Sequence, residues 1–146
     1  MDGHFHLIVA TGINQEANDK GQLKSMVERL KTNLEGDKPG QMITDSGYFS
    51  EGNVSFLAQE QVDGYVGTGR IKHGDQPLPA PRGRIPKDAS LMERMGRKLR
   101  TLKGRVIYAK RKEISEPVFG QIKQVRGFRQ FLLRGLRKVR AEGDLM

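Results

Sequence analysis

The chain has 146 residues, a length that fits one domain or a piece of a larger one. It contains no cysteine, so disulfide bonds and thiolate metal sites are excluded. No apolar run approaches the roughly 18 residues of a membrane span, and the N-terminal residues lack the basic start and long apolar core of a signal peptide. We therefore expect a cytoplasmic protein without a membrane partner.

The formal net charge of +9 is concentrated in the second half of the chain. Residues 1–80 hold 7 Lys and Arg against 11 Asp and Glu, a balance of −4, whereas residues 81–146 hold 19 against 6, a balance of +13. Such asymmetry is typical of a basic segment that faces a polyanion, most often nucleic acid. A solvated basic surface without a ligand is the alternative.

Residues 1–67 are predicted to alternate between strands and helices. The apolar run Phe5–Ile13 indicates a buried strand. An amphipathic helix ended by Gly36 follows, with its apolar residues at helical spacing: Leu23, Met26, Val27, Leu30 and Leu34. A short strand over 41–44, a helix capped by Ser50 and a last strand over 65–67 complete the unit. This alternation predicts an α/β fold with parallel neighbouring strands.

Asp45 stands where the strand 41–44 ends and a glycine-bearing turn begins. In α/β sheets, ligands bind outside the carboxyl ends of the strands, so this acid is well placed for chemistry. The sequence Asp-Ser-Gly is equally typical of an ordinary turn, and both interpretations stay open.

Residues 68–89 are predicted to form a mobile or extended basic loop that orders on nucleic acid, because proline and glycine are too dense for a helix or strand. Residues 90–146 are predicted to be basic and helical. Ser90 caps a first helix, which is interrupted near 101–104, and a second helix runs over about 105–125. Pro117 lacks an amide hydrogen, so this helix is expected to bend or restart at Glu116.

Glu116 is a carboxylate placed inside a run of cations and apolar residues, Tyr108–Lys123. Seven steps of about 100° return a helix to nearly the same face, so Glu116 and Lys123 are expected to share one. An acid in this position can bind a metal ion while the neighbouring cations hold a phosphate backbone.

The segments ITDSGYFSEGN and GRVIYAKRKEISEPVFGQIKQVRGFRQFLLRGLRKVR resemble the catalytic core of bacterial insertion-sequence transposases of the DDE type. The segment HLIVATGINQEANDKGQLKSMVERLK resembles the strand and helix that precede them, so that the resemblance covers almost the whole chain. It implies a partial ribonuclease H-like mixed sheet with flanking helices and a basic helical C-terminal part. The sheet portion would be residues 1–67, followed by the loop 68–89 and by the part 90–146 that carries Glu116.

The resemblance also implies the site residues. Asp45 and Glu116 match two catalytic acids that hold metal, with two Mg²⁺ or Mn²⁺ ions expected in the complete enzyme. The family's signature of Tyr, Arg, Glu and Lys on the Glu helix is matched in residue type, and we expect DNA contacts from the following residues: Tyr108, Arg111, Lys112, Lys123, Arg126 and Arg129. Arg111 is five steps before Glu116 and Lys112 is four, so either cation is a candidate for the phosphate contact.

The family's first catalytic Asp lies on a strand upstream of the region that this chain resembles. We therefore expect a transposase truncated at both ends and inactive alone in DNA cleavage and strand transfer. The implied partners are insertion-sequence ends and target DNA, which would place the protein at the nucleoid, and a homodimer is allowed in the complete enzyme. A non-catalytic basic module that binds nucleic acid is the alternative, and a relic without present function is a third.

Overall fold

The computed structural model describes Met1 and residues 7–13, 15–16, 18–69 and 78–144. Its helices and strands are, in chain order, α1 (Gln22–Asn33), β1 (Gln41–Thr44), α2 (Glu51–Gln59), β2 (Asp63–Val66), α3 (Leu91–Arg100), α4 (Leu102–Gly120) and α5 (Leu136–Asp144). A 3-10 helix, Ser46–Tyr48, follows β1, and a π-helix, Gln121–Val125, continues α4. Within this part of the chain, no helix has the length and apolar character needed to cross a membrane.

The strands β1 and β2 form a parallel pair, in register from Gln41 opposite Asp63 to Thr44 opposite Val66. Parallel strands need a crossover connection, and α2 supplies it. Both strands and the intervening helix agree with the predicted alternation, so the α/β class is confirmed. Over the described residues the sheet has these two strands only, so the ribonuclease H-like mixed sheet implied by the resemblance stays a prediction.

The predicted strand over residues 5–13 is wrong for its described part. Residues 7–13 have no regular secondary structure, and the side chains of Leu7 and Ile8 are 60% and 41% exposed. Two carbonyl groups of this segment accept hydrogen bonds from side chains of α1 and not from a neighbouring strand. Asn33 Nδ2 donates to Val9 O at 2.7 Å, and Arg29 Nη1 donates to Thr11 O at 2.6 Å. Residues 5 and 6 of the prediction lie outside the described residues.

The core lies between α1, α2, the two strands and α3, and its buried apolar side chains are Leu23, Val27, Leu57, Val62, Val66 and Met95. Burying such side chains is the main stabilising contribution, about 1.5–3 kcal/mol for each. Asn53 is a buried polar residue beside them, and its amide donates to Lys20 O and to Tyr48 O, both at 2.8 Å. This amide therefore ties the turn before α1 to the 3-10 helix after β1.

The predicted caps and the break between α3 and α4 are confirmed. Ser50 Oγ accepts from the amide of Asn53 at 3.1 Å, and Ser90 forms a reciprocal capping box with Glu93. Thr101 interrupts the helical run and caps α4, because its hydroxyl accepts from the amide of Gly104 at 2.9 Å. These local side-chain bonds satisfy amides that the first helical turn leaves without partners.

The helix α4 is continuous from Leu102 to Gly120, so it does not restart at Glu116, and the alternative of a bend there stays a prediction. The departure from α geometry comes later, in the π-helix, where the amide of Arg126 donates to Gln121 O at 3.1 Å, a five-residue step. The chain turns at Gly127, which has φ +67°. Residues 68–69 and 78–89 are irregular, as expected for the loop.

Candidate functional site

Asp45 lies immediately after β1, at the carboxyl end of a parallel strand, as predicted. Its side chain is half-buried and caps the 3-10 helix, because Oδ1 accepts a hydrogen bond from the amide of Gly47 at 2.9 Å. The two interpretations of Asp45 are therefore compatible. The residue performs the turn chemistry of an Asp-Ser-Gly sequence, and it stands where α/β proteins place their ligands.

Tyr108 of α4 meets the end of the sheet beside Asp45. A methyl group placed on Gly67 would lie 2.5 Å from Tyr108 Oη, 2.9 Å from Ser46 N and 3.1 Å from the carbonyl carbon of Asp45. The hydroxyl group and the Asp45–Ser46 peptide thus converge over Gly67, which has no side chain to separate them. The amide of Gly67 donates to Thr44 O at 3.2 Å, which fixes this glycine against β1.

Three of the site's groups interact electrostatically. Burial raises the pKa of Tyr108, the positive charge of Arg111 opposes this shift, and the negative charge of Asp45 adds to it. The guanidinium carbon of Arg111 lies 5.6 Å from the centre of the Tyr108 ring, within cation–π range. We call Asp45, Tyr108 and Arg111 the acid–tyrosine–arginine corner.

A second carboxylate, which sequence reasoning missed, lies beside Asp45. A methyl group on Gly47 would be 3.1 Å from Asp19 Oδ2 and 3.1 Å from Asp45 Oδ1, so these oxygens are at most 6.2 Å apart, twice 3.1 Å. Both carboxylates raise the pKa of Tyr48, after the larger effect of its burial. Asp19 stands in a polar connection ahead of α1, and no spacing rule relates it to Asp45, so only the fold reveals the pair.

Asp19 and Tyr48 also line a cavity of about 440 Å³. Its other walls come from the segment before α1, from α1 itself and from α5, and they carry charge of both signs: Glu16, Arg29 and Arg140. Arg140 is held there by its Nε, which donates to Ile13 O at 3.2 Å. The basic C-terminal part therefore reaches the acidic N-terminal part at a second place.

Glu116 is exposed on α4. It follows Tyr108 by eight residues, which places it about 12 Å farther along α4 and about 80° around its axis. The buried residues of α4 are Gly104 and Val118, and Glu116 lies off that face. Among the described residues, no hydrogen bond or ion pair joins it to Asp45, so its catalytic assignment stays a prediction.

The remaining cations of the predicted site are exposed. Lys112 shares the exposed side of α4 with Glu116, whereas Arg111 is half-buried beside Tyr108. Lys123 lies in the π-helix, which has more residues per turn than an α-helix. The shared face of Glu116 and Lys123 stays a prediction. Arg126 is exposed, and Arg129 donates to Gln124 Oε1 at 3.0 Å.

The described residues include two acids that the resemblance assigns to the two-metal site, Asp45 and Glu116. They contain no group of three His, Cys, Asp or Glu side chains that would hold a metal ion. Mg²⁺ needs several convergent oxygen ligands, and Asp45 already accepts the amide of Gly47. No metal-dependent step follows from this arrangement, and the assignment of Mg²⁺ or Mn²⁺ to Asp45 and Glu116 stays a prediction.

Comparison with known families gives one match, over residues 84–146, to the family described as Transposase DDE domain. The matched segment contains Tyr108, Arg111, Glu116 and Lys123, and Asp45 lies outside it. No curated protein and no solved structure matches the chain.

Proposed function

We propose that this chain, whose residues 84–146 match the transposase DDE domain family, binds the phosphate backbone of DNA at the acid–tyrosine–arginine corner and takes part in DNA transposition. The observation that carries the proposal is the approach of Tyr108 to Asp45. It joins the family-matched segment to an acid outside that segment, at the end of a parallel strand where α/β proteins bind ligands.

Each group of the corner has a role toward a phosphodiester. Arg111 presents a planar guanidinium group, which binds phosphate oxygens through paired, charge-assisted hydrogen bonds. The hydroxyl group of Tyr108 carries its proton at neutral pH, as tyrosine ordinarily does, so it can donate to a second oxygen. Asp45 accepts a hydrogen bond from an attacking hydroxyl group and orients it. Phosphoryl transfer depends largely on such positioning and on electrostatic stabilisation.

Cleavage and strand transfer by the family's chemistry require convergent carboxylates, which the described residues do not assemble. We therefore expect no Mg²⁺- or Mn²⁺-dependent DNA cleavage by the 146-residue polypeptide. Incubation with labelled duplex DNA, resolved on a denaturing gel, tests this expectation. Cleavage that requires the metal and disappears in Asp45→Ala would contradict it.

DNA binding at the corner is tested by fluorescence anisotropy with labelled duplex DNA over a range of salt concentrations. Each phosphate contact contributes about 0.9 to the slope of log K against log salt, so Arg111→Gln is expected to reduce the slope by about that amount. Lys24→Gln, an exposed cation on α1, is the matched control and should leave the slope unchanged. Equal slopes for wild type and Arg111→Gln would show that Arg111 does not contact a DNA phosphate.

A non-catalytic nucleic-acid-binding module is the second candidate, favoured by the exposure of Glu116 and by the balance of +13 in residues 81–146. The two functions differ in metal binding. If Glu116 and Asp45 bind metal, a Mn²⁺ titration shows binding that Glu116→Gln and Asp45→Asn each weaken. A module without catalysis gives the same titration for all three proteins. Nucleoid association and a homodimer of the complete enzyme are further parts of the proposal.

A further inference from the structure

The helices α3 and α4 direct three arginine side chains onto the backbone of the basic loop. Arg94 donates from Nε to Ala89 O at 2.9 Å and from Nη2 to Lys87 O at 2.8 Å. Arg97 donates from one nitrogen, Nη2, to two successive carbonyl groups, those of residues 82 and 83, at 3.1 and 2.8 Å. Arg105 of α4 donates to Leu78 O.

Gly83 explains how two successive carbonyl groups reach one guanidinium group. Its φ of +77° lies in the left-handed region, which glycine enters without a steric cost. The chain therefore turns sharply at this residue, with the carbonyl groups of residues 82 and 83 both toward Arg97. The loop is thus fastened to α3 through its backbone, and its own side chains Arg82, Arg84 and Lys87 stay exposed.

This surface carries a large excess of positive charge. Residues 82–105 contain nine Lys and Arg and two acids, Asp88 and Glu93. Glu93 is already used in the capping box with Ser90. Among the described residues, none of the guanidinium groups of Arg94, Arg97 and Arg105 pairs with a carboxylate; their acceptors are neutral carbonyl groups.

Neutral acceptors leave the charge of these arginines uncompensated while they fix the direction of each side chain. A guanidinium group has five N–H donors, of which Arg94 uses two and Arg97 at most two. The remaining donors are held in a defined orientation, which lowers the entropic cost of binding a ligand. An anion with several oxygens and full charge suits such donors better than a carbonyl group does.

We propose that Arg94 and Arg97, held by loop carbonyls and flanked by the exposed side chains of Arg82, Arg84 and Lys87, form a second binding site for the phosphate backbone of duplex DNA. This arginine surface contains none of the residues of the acid–tyrosine–arginine corner. The choice of DNA as the polyanion rests on the proposed function. The orientation of the arginines rests on their hydrogen bonds to loop carbonyl groups and is independent of that function.

The experiment compares three double variants with wild type by anisotropy on labelled duplex DNA, between about 50 and 200 mM salt. Arg94→Gln/Arg97→Gln is expected to lower the slope of log K against log salt by about 1.8, which is about 0.9 for each lost contact. Arg94→Lys/Arg97→Lys keeps the charge but not the planar fork, so it is expected to keep most of the slope and to bind several-fold more weakly. Lys20→Gln/Lys24→Gln, which removes two cations near and within α1, is the matched control and should bind as wild type does.

Circular dichroism melts verify that each variant is folded. If the Arg94/Arg97 variants do not fold, Arg84→Gln/Lys87→Gln replaces them, because these exposed loop side chains are not needed for the carbonyl contacts. This variant is also expected to lower the slope by about 1.8. A slope and affinity equal to those of wild type in the glutamine variants overturns the proposal, and lysine variants that match wild type in affinity overturn the role of the carbonyl groups.

Failure of the proposed function gives a different result. If wild type binds no duplex DNA, the same titrations are made with labelled polyphosphate, which has the same anionic groups without a nucleic acid. Polyphosphate binding that is lost in Arg94→Gln/Arg97→Gln supports the arginine surface while DNA binding fails. If wild type binds neither probe, the arginine surface is overturned as well.

Discussion

The hydroxyl group of Tyr108 packs over Gly67 so closely that a methyl group on the glycine would lie 2.5 Å from it. The same methyl group would lie 2.9 Å from the backbone nitrogen of Ser46, which has no rotamer by which to move away. Three parts of the chain meet at this glycine: the end of β2, the turn after β1, and α4. The position of Tyr108 beside Asp45 therefore depends on the absence of one methyl group.

Gly67→Ala is expected to reduce the free energy of unfolding by about 1–3 kcal/mol, the usual cost of overpacking a filled site. Gly69→Ala is the matched control, because no atom lies within 4 Å of a methyl group there. Urea unfolding monitored by circular dichroism measures both variants. If the two substitutions have equal effects, the close packing of Tyr108 over Gly67 is not a constraint on the fold.

Gly104→Ala is expected to be more damaging, by at least about 2 kcal/mol. A methyl group on Gly104 would lie 2.0 Å from Lys98 O, and this contact is with the backbone at the corner between α3 and α4. Gly120→Ala, in the same helix but without any atom within 4 Å, is expected to stabilise the protein by about 0.5–1 kcal/mol. Thermal unfolding gives both values. A loss for Gly120→Ala would show that alanine is not tolerated at the end of α4 for another reason.

The protein is expected to lose stability in alkaline solution. Burial raises the pKa of Tyr48, Tyr65 and Tyr108 above the ordinary value of 10.0. In the unfolded chain these groups lose their protons near pH 10, while the folded chain retains them. The stabilisation is therefore complete below about pH 10 and is lost as the pH rises through the raised pKa values. Unfolding free energies measured from pH 8 to above pH 10 test this, and Tyr108→Phe should weaken the dependence.

The contribution of Asp45 to this titration is tested separately. Asp45→Asn removes a negative charge that raises the pKa of Tyr108, and Arg111→Gln removes a positive charge that lowers it. Absorbance titration of tyrosinate should therefore move to lower pH in the first variant and to higher pH in the second. Because three tyrosines contribute to the signal, Tyr108→Phe serves as the background for each measurement. Shifts that persist in that background would not come from Tyr108.

Lys98 connects α3 to β2 and is expected to matter more than its acidic partner. Its Nζ donates to Asp63 Oδ1 at 2.5 Å and to Gly64 O at 2.7 Å, and it lies 4.3 Å from the centre of the Tyr65 ring. Asp63→Asn removes one half-exposed ion pair and should cost at most about 1 kcal/mol. Lys98→Met removes all three contacts and should cost about 1–3 kcal/mol. The reverse order would contradict this assignment.

The same pair gives the protein a dependence on acid pH. The hydrogen bond from Lys98 lowers the pKa of Asp63 below its ordinary value of 3.8. The stabilisation is therefore present above about pH 4 and is lost as the pH falls through the lowered pKa. Carboxylate titration by NMR should show the pKa of Asp63 rising in Lys98→Met.

Local hydrogen bonding explains which parts of the fold were predictable. Ser50, Ser90 and Thr101 begin helices through bonds to amides three residues later, and such bonds depend only on neighbouring residues. The strand predicted over 5–13 is wrong for its described part, residues 7–13, because a strand also needs a partner. The apolar residues of this segment cannot show that side chains of α1 bond to its carbonyl groups. The helix α4 continues through Pro117 to Gly120, so this proline does not mark a helix boundary.

The candidate site, like the fold, was predictable only where it depends on neighbouring residues. Asp45 was placed correctly because a turn sequence after a strand is a local signal. Its proximity to Asp19 and Tyr108 depends on packing between distant segments, and no spacing in the sequence reveals it. The position of Glu116 relative to Asp45 depends on how α4 packs through its buried residues, Gly104 and Val118, against distant segments, and the sequence around Glu116 does not reveal that packing.

Lys98 contacts β2, and Tyr108 packs against Gly67 directly after it. Residues 68–89 covalently link β2 to the helices that carry these two side chains, and so act as a tether. The tether makes the meeting of the two halves an intramolecular event with a high effective concentration. A single proteolytic cut in it would turn the same meeting into an association of two separate chains. The fraction of molecules in which Asp45 and Arg111 lie in the same corner would then depend on the concentrations of the two fragments.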